Sequence, residues 1–317
     1  MNKYEYLIDK VNEAKFESAP FKHIYIENFF SDDDFKEITL AEDNNIPIAS
    51  DDDGLFDNLI AGGYKVIEFP GCITDIHAYK QWRMGNKHVN HTACEGLGMT
   101  LRLEKAKSKV LDKLQKFITG KVFNKVLAEK FDIDISSCNV DGGIQKYLDG
   151  YEISPHPDIR RKALTFMVNI NPHKNSEELD HHTRYCKLTP SRKYVKSLWK
   201  GNSNIERCWV PWDWCDVVKQ QYSNNSIVIF SPNDETMHAV KASYDHLNGQ
   251  RTQLYGNLWY KDYDKKIKRE WEDLDIITTR FKTKEEKTLI KDIIKKVLPD
   301  SLLNKLKSQQ VLKRNID

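Results

Sequence analysis

Long apolar runs are missing from this chain: none approaches the roughly 18 residues that a helical membrane span requires, so no membrane partner is expected. An excess of either charge is missing too. Lys and Arg number 49 against 47 Asp and Glu, a net charge of +2, whereas a nucleic-acid binder would carry a strong basic surplus. The six cysteines form no CxxC pair, which argues against a zinc knuckle and for reduced, mostly buried thiols. The opening residues, Met1 to Tyr6, show no apolar core followed by small residues, so no secretory signal is read and a cytoplasmic location is expected. Internal repeats and low-complexity tracts are also lacking. What is present is a chain of 317 residues, 39% hydrophobic and 11% aromatic, long enough for one or two domains with a sizeable core.

Phe21 to Ile26 reads as a short strand, and Ser31 as the cap of a helix whose first turn, Asp32-Asp33-Asp34, complements the helix dipole. Residues 41 to 95 read as loops with short strands. Between Leu101 and Lys130 apolar residues recur at helical spacing, as one long helix or two broken near Gly120. The pattern then changes. Ile144 to Leu148, Ala163 to Ile170, Ser226 to Phe230 and Gln253 to Trp259 are short apolar or alternating runs separated by Gly, Pro, Asn and Asp. Such strands predict a sandwich or barrel, of which the jelly roll is a version that can enclose a site. The expected fold is mainly β with α: a double-stranded β-helix (jelly-roll) core over about 136–262, within a domain spanning 1–262 and braced by N-terminal helices. Residues 263–317 read as a helical C-terminal extension, with Leu289, Ile290, Ile293, Ile294 and Val297 on one helical face before Pro299. This extension is expected to pack on the barrel or on a second copy of the chain in a homodimer.

The chemistry-bearing stretch is Ser154-Pro155-His156-Pro157-Asp158, together with the more distant His238 and Arg251. Two imidazoles and one carboxylate are the ligand set of non-haem Fe(II) sites, which hold the metal on one face and leave the other positions open. On a strand, residues i and i+2 share a face, so His156 and Asp158 are expected to turn together towards one metal. With ten histidines in the chain, a His-x-Asp pair alone is within reach of chance. Order and spacing give it weight, because His238 comes after the strand-like run Ser226 to Pro232.

The stretch from Gln145 to Tyr260 resembles the Fe(II)- and 2-oxoglutarate-dependent dioxygenases, in the prolyl-4-hydroxylase-like branch. The resemblance is carried by Tyr147-Leu148-Asp149-Gly150-Tyr151, His156-Pro157-Asp158, Leu164 to Asn169, Phe230-Ser231-Pro232, His238 and Arg251. It implies iron held by His156, Asp158 and His238, with 2-oxoglutarate and O2 as co-substrates. It also implies hydroxylation of an unactivated C–H bond with release of succinate and CO2. Arg251 suits the far carboxylate of 2-oxoglutarate, for which a guanidinium fork is the natural partner, and Tyr147 is placed to share that carboxylate. Asp158 argues against the halogenase variant, which lacks this carboxylate. The chain departs from the family in carrying Gln253 where many members have Ser or Thr, and His181-His182-Thr183 where many have a Gly-Gly-x-Thr segment.

His181 and His182 read as a polar loop and not as ligands, since neighbours on a strand face opposite ways. Trp199, Trp209, Trp212, Trp214 and Tyr222 are either packing residues or a surface for stacking a flat substrate. The prime substrate is left open among a protein side chain, a saccharide and a small metabolite. A non-catalytic jelly-roll module that binds a metal or sugar is the rival reading.

Overall fold

A computed structural model of the chain describes residues 3–86, 93–202 and 205–262. The chain separates into two compact units, Met1–Thr278 and Thr279–Asp317, and the described residues belong to the first. The expected C-terminal extension lies outside the described residues. No helix among them is long and apolar enough to cross a membrane.

In chain order the elements are α1 (Tyr6–Glu13), β1 (Ile24–Ile26), α2 (Asp32–Leu40), α3 (Asp52–Ala61), β2 (Tyr64–Val66), α4 (Ile76–Asn86) and β3 (Thr100–Leu103). They continue with α5 (Lys109–Ile118), α6 (Lys121–Lys130), β4 (Cys138–Tyr147), β5 (Glu152–His156), β6 (Lys162–Asn169) and β7 (Thr183–Leu188). The last are α7 (Tyr194–Gly201), β8 (Cys215–Gln220), β9 (Ile227–Phe230), β10 (His238–Lys241) and β11 (Arg251–Tyr260). Two sheets form, a seven-stranded one in the order β1-β9-β6-β11-β4-β3-β2 and a four-stranded one in the order β5-β10-β7-β8. Every strand pair is antiparallel.

Period-two alternation decides which residues reach the site. On β6 and β11, Leu164, Phe166, Val168, Leu254 and Leu258 join one apolar core with Leu7, Val11, Ile38, Leu55, Leu114 and Leu127 of the helices. The intervening residues Thr165, Met167, Arg251, Gln253, Tyr255 and Asn257 point to the opposite side and line a cavity. Lys146 is an exception on the helix side: it is buried and donates to the Asn44 carbonyl and the Thr252 hydroxyl, each at 2.8 Å.

Several sequence expectations hold. Ser31 Oγ accepts from the Asp34 amide and caps α2, and the helical run breaks at Gly120 into α5 and α6. A Cβ at Gly120 would stand 2.9 Å from the Lys116 carbonyl oxygen, so glycine is what lets α6 start so closely behind α5. Others are corrected. The stretch read as loops contains two helices, α3 and α4, and Leu101 and Leu103 belong to the strand β3 instead of a helix. All six cysteines are free thiols, with Cys94, Cys138 and Cys186 buried and the rest half-buried.

Candidate metal centre and co-substrate pocket

A cavity of about 350 Å³ takes its walls from both sheets. His156 ends β5 and His238 opens the neighbouring β10, where the two are directly paired across the ladder. Their rings stand 4.3 Å apart between centroids. Each Nδ1 faces a carbonyl two residues back, Ser154 O at 2.8 Å for His156 and Thr236 O at 2.9 Å for His238. A carbonyl only accepts, so each Nδ1 carries the hydrogen and each Nε2 is left with its lone pair. Those Nε2 atoms lie 3.7 and 3.9 Å from the Asp158 carboxylate oxygens.

Asp158 arrives differently from the expectation. It stands beyond the end of β5 with φ at 71°, so a left-handed turn, and not strand alternation, swings its carboxylate towards the imidazoles. Asp is among the residues that adopt this region most readily. Among the described residues, His156, Asp158 and His238 are the one group of three or more His, Cys, Asp or Glu side chains whose donor atoms converge, all within 4.8 Å.

The electrostatics are those of a site built for a cation. Burial lowers the His156 pKa to about 3, with His238 beside it adding to the effect, and burial likewise lowers His238. Burial alone would raise Asp158, but Lys162 and the two imidazoles outweigh it and hold the carboxyl below its ordinary value. Two neutral imidazoles and one carboxylate therefore turn lone pairs inward. This donor set fits Fe(II).

Sequence reasoning missed the two side chains that hold Asp158. Lys162 Nζ pairs with Oδ1 at 2.8 Å, and the Thr165 hydroxyl donates to Oδ2 at 2.9 Å. Both lie on β6, and no local motif announces them. A metal must share Asp158 with the Lys162 ammonium, and like charges 4 Å apart exchange about 4 kcal/mol at an effective dielectric constant near 20. Lys162→Met is therefore expected to tighten metal binding about tenfold, a fraction of that sum. Mn(II) or Co(II) titration of the two proteins checks this, and unchanged or weaker binding would contradict it.

Arg251 opens β11 and is 2% exposed. Its Nη2 donates to Thr183 Oγ1 at 3.0 Å, while its Nη1 is enclosed with no partner. The Tyr147 ring lies 4.5 Å from the guanidinium carbon. Burial pulls the arginine pKa down, and the groups that act on its charge are the hydroxyls of Tyr147, Tyr151, Tyr244 and Tyr185. Among the described residues no carboxylate pairs with it. A buried cation with a free donor facing a cavity is incomplete without an anion, and this fits the far carboxylate of 2-oxoglutarate.

The support of Arg251 is built from behind. Tyr244 Oη accepts the Arg251 amide at 2.9 Å and donates to the Tyr147 carbonyl, and the Tyr244 amide in turn bonds Asp149 Oδ1 at 3.2 Å. Tyr147 donates its hydroxyl to Gln145 Oε1 at 2.7 Å, so in this structure its ring, not its hydroxyl, meets Arg251. Gln253 Nε2 bonds Asn169 Oδ1 at 3.0 Å. Thr183, within the segment that departs from the family pattern, is the hydroxyl beside both Arg251 and Gln253.

His181 and His182 lie just before β7, as the loop reading expects, yet both are buried. His181 Nε2 faces the Ser176 carbonyl at 2.9 Å. Burial lowers its pKa to about 2, with Arg251, His182 and His173 adding to the effect. The sign comes from proton uptake: unfolded His181 binds a proton below pH 6.5, the folded form does not, and stability falls as pH drops through that window. One such histidine accounts for about 2 kcal/mol of loss at pH 5. The unfolding temperature is expected to fall between pH 7 and pH 5, and to fall less in His181→Gln; an equal slope in both proteins would refute the assignment.

The tryptophans are largely packing residues. Trp199 is buried with the Arg160 guanidinium 4.0 Å from its ring, and Trp212 donates to Glu152 Oε1 at 2.6 Å. Trp209 is buried and lines the cavity.

In sequence, no protein-family model and no curated protein matches this chain. Solved structures similar to it include a prolyl-4-hydroxylase from Pseudomonas putida, at 9% identity and a TM-score of 0.38 over 82% of this chain and 100% of that one. A prolyl hydroxylase from Trichoplax adhaerens, in complex with a hypoxia inducible factor peptide fragment, is 12% identical with a TM-score of 0.37 over 81% of this chain and 88% of that one. HygX from Streptomyces hygroscopicus, with nickel and 2-oxoglutarate bound, is 12% identical with a TM-score of 0.29 over 63% of this chain and 84% of that one. Function is read from the site itself.

Proposed function

We propose that this chain is an Fe(II)- and 2-oxoglutarate-dependent oxygenase that hydroxylates an unactivated C–H bond, and that its two sheets are the halves of a jelly-roll core. The observation that carries the reading is one cavity holding both an inward-facing His156/Asp158/His238 set and an arginine with an unpartnered buried donor. Neither feature alone would separate an oxygenase from a metal-binding module; together they match a metal and a dicarboxylate bound side by side.

His156 and His238 would give their Nε2 lone pairs to the metal, and Asp158 one carboxylate oxygen. Thr165 would keep hold of that carboxylate and fix its angle, as a partner behind a metal ligand does, while the Lys162 ammonium would compete with the metal for it. Arg251, backed by the Tyr147 ring and held by Tyr244, would orient 2-oxoglutarate through its far carboxylate. Tyr151, Ile153, Trp209 and Val240 line the cavity with apolar surface and exclude water around the reacting atoms. The chemistry supplied by bound iron, 2-oxoglutarate and O2 is oxidative decarboxylation to succinate and CO2, coupled to hydroxylation of the prime substrate.

The test is succinate formation by the purified chain supplied with Fe(II) and 2-oxoglutarate, with and without candidate substrates. Slow succinate release without substrate, faster with a true one, is the expected result. A protein that binds no iron and never consumes 2-oxoglutarate would leave the non-catalytic module as the reading.

A further inference from the structure

The cavity has a second polar station that neither the metal nor Arg251 uses. Tyr255 is 7% exposed and its hydroxyl has no partner. Burial raises its pKa, so the phenol stays protonated and can donate. Arg102 approaches from β3, its guanidinium carbon 5.1 Å from the Tyr255 ring centroid. Its Nη1 pairs with Asp141, a carboxylate on the wall of the same cavity, at 3.4 Å, while its Nε is enclosed without a partner. Both residues line the same cavity as the metal ligands.

Gly143 lies between them. A Cβ there would stand 3.8 Å from Tyr255 Cε1 and 3.9 Å from Arg102 Cδ, so the strand β4 brings the two side chains together over a bare glycine. The position along β11 matters as well. The inward-facing order along β11 is Arg251, Gln253, Tyr255 and Asn257, and Asn257 contacts the Thr165 hydroxyl that holds Asp158. A ligand group at Tyr255 and Arg102 would thus stand near the metal ligands and against β3, whereas Arg251 turns its guanidinium to Thr183 of β7.

Resting on the oxygenase reading, we infer that Arg102 and Tyr255 form the anchor for the prime substrate, and that this substrate is a small molecule bearing a carboxylate. A guanidinium edge and a phenol hydroxyl both donate, and an acceptor oxygen with negative charge satisfies the two together. The size agrees: about 350 Å³ must hold 2-oxoglutarate and the reacting part of a second molecule, which leaves room for a short aliphatic chain between Tyr255 and the metal.

The experiment uses Mn(II)-loaded protein, saturated with 2-oxoglutarate and kept free of oxygen. Straight-chain carboxylic acids of graded length, with and without an α-amino group, are the probes, against their primary amides, with binding read from Mn(II) broadening of the ligand NMR lines. The acids are expected to bind at least tenfold more tightly than the amides. Arg102→Leu should abolish that preference and Tyr255→Phe should weaken the acids several-fold, with the affinity for 2-oxoglutarate unchanged in both. Equal binding of acids and amides, binding of neither, or a parallel loss of 2-oxoglutarate in the variants would overturn the inference. Failure of the unaltered protein to bind 2-oxoglutarate at all would instead strike the oxygenase reading beneath it.

Discussion

His238→Ala is expected to remove metal binding almost entirely while leaving the fold as stable as before. Loss of a residue that merely orients a ligand typically costs 10- to 100-fold in metal affinity, so loss of a ligand itself should exceed about 100-fold. Stability should behave otherwise. The Nε2 lone pair of His238 faces the Asp158 carboxylate at 3.9 Å, an unfavourable contact until a cation arrives, and its removal offsets the loss of the Nδ1–H bond to the Thr236 carbonyl. Asp158→Ala provides the contrast: metal binding should again be lost, but Lys162, 17% exposed at its side chain, would also lose its counter-ion, at about 1–3 kcal/mol. Calorimetric Mn(II) titration and thermal unfolding of the metal-free variants check both halves. If His238→Ala retained metal within tenfold of the unaltered protein, the ligand assignment would be wrong.

The three converging residues were legible because their chemistry is local: a His-x-Asp pair, a strand-like run and then a His are visible in one dimension. How they meet was not. Strand alternation expected His156 and Asp158 to turn the same way, but Asp158 turns towards the imidazoles through a left-handed residue after β5. Lys162 and Thr165 were invisible because they matter only once β6 lies against the turn after His156, a tertiary fact without a sequence signature. The helices in 41–95 were missed for a readable reason. Asp51-Asp52-Asp53-Gly54 has turn composition, yet the Asp51 carboxylate accepts the Gly54 amide at 2.8 Å and caps α3, with Asp52 and Asp53 in its first turn. The same residue types serve turns and helix starts, and only the residues downstream distinguish the two.

That helical layer also matters to the site, through polar contacts the pattern of apolar residues could not show. Arg83 of α4 pairs with Asp52 of α3 at 2.9 Å and with Asp149 at 3.3 Å, while buried His246 Nε2 meets Asp52 at 2.9 Å. Asp149 then holds the Tyr244 amide, and Tyr244 holds the Arg251 backbone. The N-terminal helices therefore do more than brace a sheet: they anchor the segment that sets the position of the buried guanidinium.

Arg251→Ala is expected to raise the dissociation constant for 2-oxoglutarate by roughly 30-fold to several thousand-fold, with metal affinity unchanged. Removing one member of a buried, hydrogen-bonded charge pair costs about 2–5 kcal/mol, and each 1.4 kcal/mol is tenfold. A second consequence separates this role from a structural one. Without co-substrate, Arg251 is a buried cation with an unpartnered Nη1, a burden on the folded state, so its truncation should cost the ligand-free protein little despite the volume removed. In the unaltered protein, 2-oxoglutarate at 100 times its dissociation constant should add about 2.7 kcal/mol of stability. The variant at the same concentration should gain almost none. Thermal unfolding of the metal-loaded proteins across a 2-oxoglutarate series reads both effects. A variant that is badly destabilised without ligand yet still stabilised by 2-oxoglutarate would make Arg251 a packing residue and place the co-substrate elsewhere in the cavity.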